Sequence, residues 1–220
     1  MRAIEKRQEP RELREYRCQP DAIYDGPLFT PVKQIVRERL LREQGYICAY
    51  CMKRIDELEM KVEHWHCQDK YPDEQLDYQN LLGVCTGNEG ESLTKATCDT
   101  RKGNQDLKYN PATPSHRIES HIQFLGNGKI QADSDEEFDR QLNNVLNLNE
   151  PRLVKNRLEV WSTVHNILSR EAGSRTLVEI HKLLSRWDTP GQDGRLREYC
   201  AVAVYYLRKR LKATPQTNAF

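Results

Sequence analysis

The sequence predicts an α+β fold: a small, metal-stapled sheet with helical regions on both flanks. Three observations predict it. Four of the seven cysteines, Cys48, Cys51, Cys85 and Cys98, fall in a C-x2-C … C … C pattern. Within that stretch LEMKVEHW alternates as a strand does, and NLLGVC starts a second element. Before and after it, apolar residues recur at helical spacing. The expected units are an N-terminal helical segment over 1–45, the cysteine module over 46–110, and a hairpin with a C-terminal helical region over 111–220.

Residues 1–28 are charged and punctuated by Pro10, Pro20 and Pro27, which predicts a strap with one short helix around Glu12–Arg17. Thr30 is a good N-cap and Pro31 suits the first helical position. Val32, Ile35, Val36, Leu40 and Leu41 then form an apolar stripe that Gly45 ends. GYICAYCMKRI reads as a knuckle, two cysteines on a tight turn between short strands. After NLLGVC comes the glycine-containing loop TGNEGESLTKAT, and CDTRKGNQ reads as a short polar helix or turn. HIQFLGNGKIQA, residues 121–132, carries a hairpin signal around Gly126-Asn127-Gly128. The pattern turns helical from Ser134. A further helix starts at Pro151, with Leu153, Val154, Leu158, Trp161, Val164 and Leu168 on one face. Two more are expected over 174–187 and 194–212, separated by TPGQDG.

The 220 residues include 34 Lys+Arg and 33 Asp+Glu, a formal charge of +1. That balance excludes a uniformly basic nucleic-acid coat and leaves room for local basic faces. No run of about 18 apolar residues occurs, so no membrane span is expected. The opening MRAIEKRQEPRELREYR has no apolar signal core. An odd number of cysteines without such a signal argues against a disulfide scaffold and points to metal in a reducing, cytoplasmic setting. Four thiolates suit one tetrahedral Zn2+ with no open position, a structural ion that supplies folding energy. Cys67 stands as a rival ligand to Cys85, because residues 86–97 separate Cys85 from Cys98.

Taken together, YICAYC … VEHWH … YQNLLGVC … CDTRKGN over 46–104 resembles the HNH, or ββα-metal, endonucleases. The family pattern is a C-x2-C knuckle, an acidic residue with His at a strand end, an Asn-Leu, a second cysteine pair, then Asn or His and Lys-Gly. The resemblance implies a zinc-knuckled ββα-metal module and metal-dependent hydrolysis of phosphodiester bonds. It implies His64 as general base and Asn80 orienting its ring. Glu63 and Asp99 would hold Mg2+ or Mn2+, and Arg101 and Lys102 would meet phosphate oxygens. Asp99 departs from the Asn or His often found in its slot, but a carboxylate suits a hard cation.

Across most of the chain, MRAIEK, CAYC, VEH, the hairpin and LNLNEPRLVKNR look similar to the HNH subunits of Septu-type and retron-associated anti-phage systems. That implies a bacterial cytoplasmic effector working beside an ABC/SMC-type ATPase, with a retron reverse transcriptase and its RNA–DNA as a further partner. DNA is the favoured substrate, with RNA, including tRNA, open. A non-catalytic zinc adaptor that docks an ATPase or nucleic acid is the alternative. GNEGESLTK lacks G-x4-G-K-[ST], so the chain is not itself the ATPase. If residues 62–66 are extended, His66 shares the face of His64. His116, His121, His165 and His181 read as structural, Cys18 and Cys200 as ordinary thiols. Arg208, Lys209, Arg210 and Lys212 read as a solvated helix end.

Overall fold

A computed structural model describes residues 1–169 and 175–213. It is a mixed α+β structure in which two small sheets sit among helices. The strap carries α1 (Arg11–Arg17), which buries Leu13 and Tyr16. Met1 and Ile4 are also buried, and the Ile4 amide donates to the Pro111 carbonyl. Lys6 Nζ donates to the carbonyls of Tyr78 and Leu81, so the strap is tied to the sheet that follows.

Helix α2 (Thr30–Glu43) buries Val36, Leu40 and Leu41. Its cap differs from the expectation. Phe29, not Thr30, is the N-cap, and the Phe29 carbonyl accepts from Lys33 N at 2.8 Å. The reason is packing: Phe29 is fully buried between the rings of Tyr16 and Tyr24, which draws the helix start back one residue. Strands β1 (Met60–His64) and β2 (Leu81–Cys85) pair antiparallel, with Glu63 opposite Leu82 and His64 opposite Leu81. Helix α3 (Cys98–Lys102) packs on β2.

The expected hairpin forms from β3 (Gln123–Phe124) and β4 (Ile130–Gln131). Gly128 sits at φ +82, and a Cβ there would lie 2.3 Å from the Val154 carbonyl oxygen. Gly128→Ala is therefore expected to destabilise the chain by about 2 kcal/mol or more, measured by urea denaturation. Helix α4 (Glu136–Arg140) is capped by Asp135 and passes into a wider π turn over Gln141–Val145.

Helix α5 (Pro151–Ser169) begins where Pro151 predicts. It buries Arg157, which donates to the carbonyls of Gly128 and Leu148 and to Asn149 Oδ1. Helix α6 (Leu177–Asp188) starts at a Thr176/Glu179 capping box; the expected start at 174 lies outside the described residues. Helix α7 (Cys200–Ala213) is shorter than the 194–212 expected. Residues 196–199 instead clasp the knuckle: Leu196 N donates to the Gly45 carbonyl and Tyr199 N to the Met52 carbonyl. Arg54 donates back to the Leu196 carbonyl. These strong backbone bonds outcompete another helical turn. Val164, Ile180, Ala203 and Leu207 seal α5, α6 and α7 together. One larger core runs from Met1 to Val202, so the three expected units share a single interior. Among the described residues, no helix is long and apolar enough to cross a membrane.

Candidate metal centre and active site

The knuckle reverses the chain between Ile47 and Arg54, which form an isolated bridge. Cys48 N donates to the Lys53 carbonyl, and Met52 N returns to the Cys48 carbonyl. The turn needs positive φ at Tyr46 and Met52. It is locked to β2 by Ala49 N donating to the Gly83 carbonyl. Cys85 ends β2 and Cys98 opens α3, so three separate elements deliver four cysteines to one place.

The sulfurs of Cys48, Cys51, Cys85 and Cys98 all lie within 4.8 Å of one another, and all four residues are buried. Cys48 and Cys98 are 3.9 Å apart, Cys51 and Cys85 3.7 Å. Zn–S bonds of about 2.3 Å place tetrahedral sulfurs about 3.8 Å apart. The donor set therefore fits a thiophilic ion. Burial pushes the Cys48 thiol up, but hydrogen bonds from Cys51, Cys85 and Cys98 outweigh it and hold it well below the usual thiol range. The rivalry left open by spacing is resolved in space: Cys67 Sγ faces the Asn104 carbonyl at 3.7 Å, outside the cluster.

Glu63 and His64 are neighbours on β1, and the two-residue period of a strand sends their side chains to different surroundings. Glu63 is 5% exposed. Its Oε1 accepts from Lys102 Nζ at 2.8 Å and from Tyr50 Oη at 3.1 Å. Asp99, one residue into α3, adds a second carboxylate near Glu63. Burial, then this second carboxylate, drives the Glu63 carboxyl well above its usual range, although Lys102 opposes them. Lys61 Nζ lies 3.9 Å from Asp99. Two carboxylates of like charge that act on one another make a pair that a hard divalent cation would relieve.

His64 is 7% exposed and its ring meets Tyr24 edge-on at 4.5 Å. Its Nε2 lies 2.9 Å from the Gln75 carbonyl. A carbonyl only accepts, so Nε2 carries the proton and Nδ1 keeps the lone pair. Burial first, then Lys102, lowers the His64 pKa against the pull of Gln75, leaving a neutral ring near pH 7.

Two expectations are corrected. Asn80 does not hold the His64 ring; the Gln75 carbonyl does. Asn80 is buried, accepts from His66 N at 2.7 Å and donates to the carbonyls of His66 and Glu74, thus fixing the loop that carries Gln75. Lys102 does not face solvent. Its side chain is 0% exposed and donates to Glu63, to the His64 carbonyl at 3.1 Å and to the Gly103 carbonyl at 3.4 Å. The single helical turn of α3 points it inward, where the Glu63 charge needs a partner. His66 leaves the strand and pairs with Glu74 at 2.7 Å rather than sharing the face of His64. Arg101 donates to the carbonyls of Asn144 and Leu93, and so pins the loop 86–97 beside α3. Tyr50 and Gln75 were not anticipated. Tyr50 sits inside the knuckle, and Gln75 acts through its backbone, which carries no side-chain signal.

Lys102→Met would strand the Glu63 carboxylate without its cation. A loss of about 3 kcal/mol in unfolding free energy is expected, read by urea denaturation against the parent.

No protein-family model matches the chain. Two curated relatives do. The chain is 33% identical over 105 residues to the protein named "Retron Vc95 putative HNH endonuclease" of Vibrio cholerae serotype O1 biovar El Tor. The match covers 46% of this chain and 49% of that one. It is 27% identical over 161 residues to the Septu protein PtuB of Bacillus thuringiensis, covering 69% of this chain and 51% of the relative. The chain thus spans about half the length of the curated relatives it matches. At modest identity, these relatives support an HNH nuclease in a Septu- or retron-type anti-phage defence context.

Proposed function

We propose that the chain is a metal-dependent HNH endonuclease, an effector that hydrolyses nucleic-acid phosphodiester bonds during anti-phage defence. One observation carries this reading: the buried Glu63 of β1 is ion-paired with Lys102 of α3, the same short helix carries the half-buried Asp99, and the neutral His64 is next in the chain. The four cysteines would hold a structural Zn2+. Glu63 and Asp99 would hold Mg2+ or Mn2+, which when bound supplies positive charge for the phosphate and the departing 3′ oxygen. Everything else falls to the chain. His64 Nδ1 accepts the proton of the attacking water. The Gln75 carbonyl keeps the ring in the productive tautomer, and Asn80 holds that loop. Lys102 and Tyr50 occupy Glu63 Oε1, so Oε2 is the oxygen that would be offered to the cation. Lys102 therefore acts on the carboxylate and not on phosphate, and Arg101 acts on the neighbouring loop.

The chain's charge of +1 gives little general grip on nucleic acid. Delivery then falls to partners: an ABC/SMC-type ATPase and, in a retron setting, a reverse transcriptase with its RNA–DNA. DNA is the favoured substrate and RNA, including tRNA, the second. The test is incubation of the purified chain, alone and with its partner ATPase, with plasmid DNA and with RNA plus Mg2+ or Mn2+. Cleavage that needs the divalent ion supports the reading. No cleavage of either polymer under any of these conditions leaves the adaptor role in its place.

A further inference from the structure

A row of half-buried aromatic and imidazole rings begins at the residue after His64. Trp65 stacks on His66 with centroids 4.1 Å apart, and His66 stacks on Tyr71 at 4.2 Å. Trp65 also approaches His116 at 6.0 Å, and His116 approaches Tyr109 at 5.8 Å. Tyr109 stacks on His121 at 4.1 Å with only 16° between the planes. None of the six belongs to the buried core. His116 and His121 thus do more than fill space in their own turns. Through the tilted and edge-on contacts of His116, two short stacks, Trp65–His66–Tyr71 and Tyr109–His121, are joined from the end of β1 to the 109–121 loop.

The interior of the row is closed. His66 is covered on both faces, and Tyr109 meets the buried Phe138 edge-on. Tyr71 and His121, at the two ends of the row, are half-buried, and each makes a single ring contact within it. Cations flank the row: Lys70, 49% exposed, precedes Tyr71, and the exposed Arg117 has no side-chain partner among the described residues. Lys70 is paired with Asp106 at 3.1 Å, a surface contact that is weak enough to exchange for phosphate.

We propose that this row is a stacking platform for unpaired nucleobases, and that the preferred ligand is a single-stranded or unwound segment rather than intact duplex. The chemistry is that of single-strand binding generally: π faces for bases, scattered cations for the backbone, and little need for high net charge. In a duplex both faces of every base are already covered, so only an unstacked base reaches Tyr71 or His121. The proposal deepens the nuclease reading, on which it rests for the cutting that follows binding. The Asn80 bonds to the His66 backbone link the platform rigidly to the loop that holds His64.

The test measures binding, not turnover. Full-length His64→Ala protein, without added Mg2+ or Mn2+, is titrated into fluorescent oligo-dT, oligo-rU and a duplex of equal length. Single strands are expected to bind tighter than the duplex. Tyr71→Leu and His121→Leu are each expected to weaken single-strand binding on the order of ten-fold, with duplex binding little changed. Tyr71→Phe, which keeps the π face, is expected to bind like the parent and so excludes a mere folding defect. The dT and rU arms show which sugar the platform accepts. Leu variants that bind like the parent, or that weaken single strand and duplex equally, overturn the proposal. Ring-dependent binding by a wild-type chain that cuts nothing would overturn the nuclease reading and leave the platform standing.

Discussion

Replacing any one of Cys48, Cys51, Cys85 or Cys98 with Ser is expected to empty the chain of zinc and to unfold its centre. The parent should carry one zinc per chain by elemental analysis, and Cys67→Ala should keep it. The size of the effect follows from what the ion joins. The knuckle, β2 and α3 meet through four sulfurs, while β1 and β2 alone form a five-residue pair that is not independently stable. A structural zinc contributes about 10–16 kcal/mol of apparent binding free energy, comparable to the whole stability of a domain. The clasp made by residues 196–199 on Gly45 and Met52 would go with it, so damage should spread to α7. Circular dichroism and urea midpoints, measured beside zinc content, check this. A parent purified without zinc would refute the assignment, as would a Cys85→Ser protein that keeps it.

His64→Ala is expected to lower cleavage by about 10²–10⁴-fold and to keep the zinc, with a modest fall in the unfolding midpoint from the lost packing on Tyr24. The ring lies outside the sulfur cluster, so removing it takes away the proton acceptor and a contact with Tyr24, and leaves the staple untouched. Asp99→Asn is the cleaner companion to it. The side chain of Asp99 is 24% exposed and keeps its shape as Asn, whereas Glu63→Gln would leave Lys102 buried without a countercharge. Asp99→Asn should need far more Mg2+ for the same rate. Cleavage by His64→Ala at the parent rate would exclude the ring as base.

The local elements were legible because their signals are local. Pro151 sets the start of α5, the alternation over β1 and the Gly126–Gly128 turn follow from backbone preferences, and the cysteine spacing marks a metal knuckle before any fold is known. Elements whose boundaries depend on distant partners were read less well. Thr30 has the better capping chemistry, yet the buried Phe29 moved the cap. Residues 196–199 have helical spacing, yet the Leu196 and Tyr199 amides are taken by the knuckle.

The same division runs through the candidate site. Sequence alone singled out the side chains of the candidate site: four thiols, the Glu63-His64 pair, Asn80, Asp99, Arg101 and Lys102. Their partners were decided only by tertiary structure. Cys67 rivals Cys85 along the chain, and the bond from Ala49 N in the knuckle to the Gly83 carbonyl of β2 brings Cys85 there. Lys102 looks like a phosphate contact until α3 turns it into the interior, where a carboxylate requires it. The acceptor that orients His64 is a backbone carbonyl, at Gln75. Every residue has such a group, so no side-chain pattern announces it; the fold selects it by placing that one carbonyl 2.9 Å from the ring.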